Sequence, residues 1–214
     1  MNAETATPIQ EKQTHSGPKY IAHWVLKTPR RDKLVDWYKK VFGAEVVHSD
    51  NMITFLSWDD ESHRLALVSL PRALRFVFPF GSRLRRKIFG IDHIAHSFGS
   101  LEALLSSYAR IKQQGIKPVW CINHGPTTSI YYEDPDGNRH EFQVDNFPTL
   151  AETKKYFDSQ EFADNPIGVN FDPDYLLERL KQGTPEKELL KRGAGTRPGT
   201  RQPENKKTLT WRTL

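Results

Sequence analysis

Ile91-Asp92-His93-Ile94-Ala95 is a short apolar run with one imidazole set inside it, and the chain contains that run twice. The earlier copy is Tyr20-Ile21-Ala22-His23-Trp24-Val25-Leu26. Both read as strands, rich in β-branched and aromatic residues. The same series of patterns follows each. After the first come Leu34, Trp37, Tyr38, Val41 and Phe42 at helical spacing, with Gly43 as a stop, and then strand patterns over 44–48, 52–58 and 64–70. After the second come Leu101, Leu104, Leu105, Tyr108 and Ile111, closing near Gly115, and then strand patterns over 117–122, 128–133 and 139–144. A repeat at this period is two supersecondary units, each strand, helix and three strands.

Laying one unit over the other sets His23 on His93, Arg64 on Arg139 and Ala66 opposite Glu141. The first strand of each unit therefore supplies one histidine, and only the second unit's last strand supplies a carboxylate. Two imidazoles and one carboxylate from separated strands form the ligand set of a facial triad, which leaves half of an octahedral ion open. His23, His93 and Glu141 are the candidate ligands, for one metal site per chain. The plainer alternative is two satisfied core histidines and a strand-end glutamate. A carboxylate in a buried strand is costly unless something compensates its charge, and a metal does that.

The remainder of the chain divides around the repeat. Residues 1–18 are polar and lack the apolar core of a secretory signal, so they are expected to be a disordered N-terminal segment. The first module is expected over 19–70 and the second over 91–147. Between them, 71–90 carry Arg72, Arg75, Arg83, Arg85, Arg86 and Lys87 among Phe76, Phe78, Phe80 and other apolar residues, with no acid. That composition suits a linker wrapping the body, a lid over an apolar or anionic substrate, or a membrane-surface contact. Residues 148–214 are expected to be a helical appendage ending in a basic flexible tail, with short helices near 148–157 and 173–181 and no chemistry of their own. The net charge of +5 is concentrated there, because residues 181–214 hold nine Lys/Arg against three Glu. No nucleic-acid motif accompanies that charge, so no nucleic-acid partner is expected. No stretch is long enough to span a bilayer. The single Cys121 allows no disulfide framework within the chain and suits a reducing, cytoplasmic setting.

The run Asn123-His124-Gly125-Pro126-Thr127-Thr128-Ser129-Ile130-Tyr131-Tyr132-Glu133-Asp134-Pro135-Asp136-Gly137-Asn138-Arg139-His140-Glu141, taken with the paired histidine strands, resembles the vicinal-oxygen-chelate superfamily of glyoxalases, bleomycin-resistance proteins and dioxygenases. Within it the chain looks most like the type I extradiol catechol dioxygenases, over about residues 19–147. The resemblance implies an α+β fold, two βαβββ modules forming a half-open barrel with a metal in its cup. It implies Fe(II), with Mn(II) possible on the same ligands, and cleavage of an aromatic vicinal diol by O2 to a ring-opened semialdehyde. It also implies three catalytic groups: His63 as proton carrier, His124 beside the bound oxygen, and Tyr132, chosen on the family spacing before Glu141. The family's aspartate near the second of these histidines is missing, since Gly125-Pro126-Thr127 follows His124. Two other readings share the fold: a metal-holding lyase or isomerase of the glyoxalase type, and a small-molecule-binding resistance protein. The triad favours an enzyme over a binding protein, and Ala66, where a further carboxylate could have stood, disfavours the lyase. A homo-oligomer is compatible with all three.

Overall fold

The computed structural model describes residues 20–77 and 90–200. The N-terminal segment 1–18, Phe78, Phe80 and the other residues of 78–89, and the end of the basic tail from 201 lie outside the described residues. So the lid reading of the connecting run falls mostly outside them; Phe76, inside them, is 74% exposed.

The first unit runs β1 (Trp24–Thr28), α1 (Arg31–Phe42), β2 (Glu45–Ser49), β3 (Ile53–Ser57) and β4 (Leu65–Ser69). A short helix α2 (Leu74–Val77) follows. The second runs β5 (His93–Ser97), α3 (Leu101–Gln113), β6 (Trp120–Asn123), β7 (Thr127–Glu133) and β8 (Arg139–Asp145). In each unit the helix carries the chain to the far edge, and two hairpins bring it back beside the first strand. The sheets are accordingly ordered β1-β4-β3-β2 and β5-β8-β7-β6, with the first and last strands of each unit parallel. The fold is a mixed α+β pair of open sheets with βαβββ connectivity, as the repeat predicts.

The helices form where the apolar spacing placed them. In α1, Leu34, Trp37, Tyr38 and Val41 are buried on one face. Gly43 ends it in the left-handed region at φ 70°, where its N–H bonds back to Lys39 O. In α3, Ser100 caps the N-terminus by accepting from Ala103 N, and Leu101, Leu104, Leu105, Tyr108 and Ile111 are buried. Burying each of these aliphatic side chains contributes roughly 1.5–3 kcal/mol. The units are tied together across their cores. Phe42 meets Phe142 edge-on at 5.1 Å, and the Tyr38 hydroxyl lies 2.9 Å from His140 Nε2. The Arg110 guanidinium donates to Val41 O at the end of α1, and Arg30 pairs with Asp136 at 2.7 Å.

The region after Asn146 is more ordered than its composition implies. It contains α4 (Leu150–Phe157), α5 (Gln160–Asp164), β9 (Val169–Asn170), α6 (Pro173–Lys181) and α7 (Glu186–Leu189). β9 adds a fifth strand beside β6. The expectation of a mobile tail from 181 is corrected over 181–200. Leu189 is 1% exposed, and at Gly195 a Cβ would come within 2.5 Å of the Phe171 side chain. Small and basic residues there serve close packing, which composition alone does not reveal.

Candidate metal centre and active site

β5 and β8 are parallel neighbours, with His93 opposite Arg139 and Ala95 opposite Glu141. Alternation along a strand puts side chains two apart on one face, so His93 and Glu141 share the face away from α3. Their side chains meet, His93 Nε2 lying 2.9 Å from Glu141 Oε2. The other ring nitrogen, Nδ1, is 2.8 Å from Asp92 Oδ2. A carboxylate behind a histidine in this way fixes its tautomer and raises its basicity as a ligand. The hydrogen bond to Glu141 raises the His93 pKa, against burial, with Asp92 adding to the rise. Burial works to raise the Glu141 pKa. Hydrogen bonding, that of His93 first and Ser129 next, outweighs it, and the carboxyl titrates below its ordinary value.

Across the hairpin, Tyr131 lies directly opposite Glu141, whereas Tyr132 lies opposite His140. Tyr131 is therefore on the site's face, its ring edge-on to His93 at 5.4 Å. Tyr132 points into the core, 0% exposed, and its hydroxyl has no hydrogen-bond partner among the described residues. The choice of Tyr132 is corrected to Tyr131: one step along a strand reverses the face. His124 joins the same cluster, with Nε2 3.0 Å from the Tyr131 hydroxyl. Burial lowers its pKa and favours the neutral ring.

The other two residues named from the sequence stand on the first sheet. His23 precedes β1 and is exposed, not part of a buried strand as expected. Its ring lies 4.5 Å from that of His63, which in turn lies 4.7 Å from Phe55. Among the described residues, no three His, Cys, Asp or Glu side chains are gathered closely enough to hold a metal. So His93 and Glu141 are brought together, His23 and His63 are brought together, and the triad is not closed. The first pair fits a divalent ion: its donor separation matches two adjacent ligands each at about 2.1 Å, which lie ~3 Å apart at a right angle. Register gives His23 the position in the first unit that His93 holds in the second, since Trp24 N bonds to Arg64 O where His93 pairs with Arg139.

Three contributors escape the sequence reading. Asp92 could have been found, because it sits beside His93 in the quoted run. Ser129 alternates with Tyr131 on β7 and becomes visible once the face is known. The appendage contributes as well, through Ile167, whose carbonyl meets His124 Nδ1 at 2.5 Å. No pattern in the sequence marks it.

Residues 20–142 match the family described as the Glyoxalase/Bleomycin resistance protein/Dioxygenase superfamily. Biphenyl-2,3-diol 1,2-dioxygenase 2 of Rhodococcus globerulus is 42% identical over 78% of this chain and 84% of its own length. Biphenyl-2,3-diol 1,2-dioxygenase 3 of the same organism is 38% identical over 80% of this chain and 87% of its own. Among solved structures, lactoylglutathione lyase from Agrobacterium tumefaciens aligns over 59% of this chain and 94% of its own, at 16% identity and a TM-score of 0.45.

Proposed function

Because the chain belongs to the glyoxalase/bleomycin resistance protein/dioxygenase superfamily, we propose that it is a metal-dependent extradiol dioxygenase that opens the ring of an aromatic vicinal diol with O2. Its two curated relatives at 42% and 38% identity carry the names of ring-cleaving enzymes. The observation that carries the reading is the His93–Glu141 pair, with Asp92 behind it and Tyr131 and His124 on the same open face.

His93 and Glu141 would hold the metal, with His23 as the third ligand from the first sheet. Imidazole and carboxylate donors suit Fe(II), and Mn(II) by the same chemistry. When bound, the ion supplies positive charge that makes a diol hydroxyl more acidic, and open positions for diol and O2. The protein's own groups do the rest. His63, in ring contact with His23, takes a proton from the diol and returns it later in the reaction. His124 Nε2 holds the Tyr131 hydroxyl by accepting its hydrogen, which leaves the Tyr131 oxygen to accept from the diol hydroxyl that keeps its proton. Phe55 and Ala66, opposite one another on the first sheet, form an apolar wall for the aromatic ring. Ala66 stands where Glu141 stands in the second unit, so the first sheet adds no carboxylate there of the kind the family's lyases use.

The test is anaerobic metal analysis followed by O2 uptake with catechol, a methylcatechol and biphenyl-2,3-diol. The expected result is one metal ion per chain and O2 consumed in step with diol, giving a coloured ring-opened product. Metal binding with no O2 uptake on any diol refutes the assignment. Among the described residues no helix is long and apolar enough to cross a membrane.

A further inference from the structure

The segment between α5 and β9 lies outside both repeats, yet it reaches the candidate site. Ile167 O is 2.5 Å from His124 Nδ1. A carbonyl oxygen only accepts, so Nδ1 carries the hydrogen. The neutral ring then presents a bare Nε2, and the Tyr131 hydroxyl, 3.0 Å away, donates to it. With the opposite tautomer, Nε2 would donate to Tyr131 and turn that hydroxyl's hydrogen toward Glu141. One proton on Tyr131 can serve only one of these neighbours, and the Ile167 carbonyl decides which.

The carbonyl has little freedom to move. Gly168 has φ +116°, and a Cβ there would come 2.3 Å from Asn123 O and 2.7 Å from His124 Cα. Only glycine permits that approach. Asn165 closes the turn from both sides, accepting from Gly168 N at 2.9 Å and donating to Gly168 O at 2.9 Å. Gly168 leads straight into β9, where Val169 pairs with Asn123 and Asn170 with Ile122. From outside, the Arg192 guanidinium donates to His124 O and, at 2.9 Å, to Asn165 O. It thereby staples the two loops to each other.

We propose that this part of the appendage is a positioning element of the active site: the Ile167 carbonyl locks His124 as its Nδ1–H tautomer, with Gly168 and Arg192 holding the carbonyl in place. The proposal rests on the reading that His124 and Tyr131 serve the diol.

The experiment is long-range 1H–15N correlation on the full-length, metal-free protein at neutral pH, with diol turnover measured separately on the metal-loaded enzyme. In the wild type, His124 should show a pyrrole-type Nδ1 and a pyridine-type Nε2. Arg192→Gln should move both shifts toward averaged values and lower kcat about 10-fold with KM little changed, in line with the loss of an outer partner. Arg192→Lys should restore most of both. Gly168→Ala should do more than Arg192→Gln; if that variant is insoluble, the Arg192 pair decides. A wild-type His124 with the hydrogen on Nε2, or averaged between nitrogens, overturns the proposal. So does an Arg192→Gln protein with wild-type shifts and turnover. A locked tautomer released by Arg192→Gln, in an enzyme indifferent to Tyr131→Phe, upholds the lock and overturns the reading of the site beneath it.

Discussion

The two units share a backbone plan and differ in what they place on it. Cross-strand pairing puts Phe55 opposite Ala66 in the first sheet and Tyr131 opposite Glu141 in the second, at the same register from β1 and β5. Where the second sheet has a carboxylate and a phenol, the first has a methyl group and a phenyl ring. On the core side of the same strands, Leu65 corresponds to His140, which is 0% exposed and bonded to Tyr38 and His96. The edges differ too. β6 is covered by β9, whereas all five residues of β2 are exposed, and its ladder is interrupted between Val46 and His48. Such an irregularity discourages further strand pairing. A duplicated frame can thus divide labour. At this register one sheet carries the charge, its buried polar groups held by several partners, and the other presents apolar side chains that need none, with His23 and His63 beside them.

Removing the difference at its centre should have the largest effect. Glu141→Ala makes the second sheet resemble the first at that position. Metal affinity, followed by anaerobic titration, should fall by more than about 100-fold, beyond the cost of losing an outer-shell partner, with turnover at background. Retained metal would remove Glu141 from the ligand set.

The proton carrier comes next, and it tests whether the first sheet is only a wall. His63→Phe should keep metal and substrate binding and lower kcat by about 10²–10⁴, the usual contribution of a positioned acid–base group. The loss should shrink for diols that are already acidic. If the variant instead loses its metal, His63 is a ligand.

A smaller effect separates the two faces of β7. Tyr131→Phe should lower kcat roughly 10–100-fold. Tyr132→Phe should leave kcat near wild type and stability unchanged or slightly improved, since its buried hydroxyl has no partner among the described residues. Steady-state kinetics on both variants decide, and the reverse ranking returns Tyr132 to the site.

The smallest effect concerns stability. Burial lowers the His96 pKa to about 4, and His140 beside it shifts in the same direction. A histidine kept neutral in the fold contributes fully above its unfolded value of about 6.5, and the contribution is lost as pH falls from there to about 4. His96 accounts for at most about 3 kcal/mol of that loss. Urea melts at pH 7 and pH 4 should show the decline, and His96→Gln should flatten it. An unaltered slope would mean that His96 charges freely in the fold.

Much of this was readable before the fold was seen. Helices α1 and α3 stand on their apolar stripes, and the overlay of Ala66 on Glu141 reappears in the strand pairing. Such features depend on periods of 3.6 and 2 within a dozen residues, which the chain carries locally. Tyr131 against Tyr132 was not readable with the same security. Alternation says that only one faces the site, and the register set by the turn Asp134 to Asn138 says which. There Asp134 Oδ1 accepts from Asp136 N and Asn138 N. The appendage misled for a different reason. A basic, glycine-containing stretch has the composition of a solvated tail, yet Arg192 and Gly195 are fitted to particular neighbours.

By itself the amino-acid sequence determined the repeat, the element order within it, the histidine strand β5 and the single carboxylate, because side-chain periodicity and turn chemistry act over short distances; it also set His23 in a strand, whereas His23 stands just before β1. The tertiary structure decided which side chains meet. It joined His93 to Glu141 and Asp92, put Tyr131 on their face, left His23 beside His63, and carried Ile167 from a remote segment to His124. Those contacts depend on register, on the packing of one unit against the other and on a backbone approach that only Gly168 permits, and none of these is a local property of the chain.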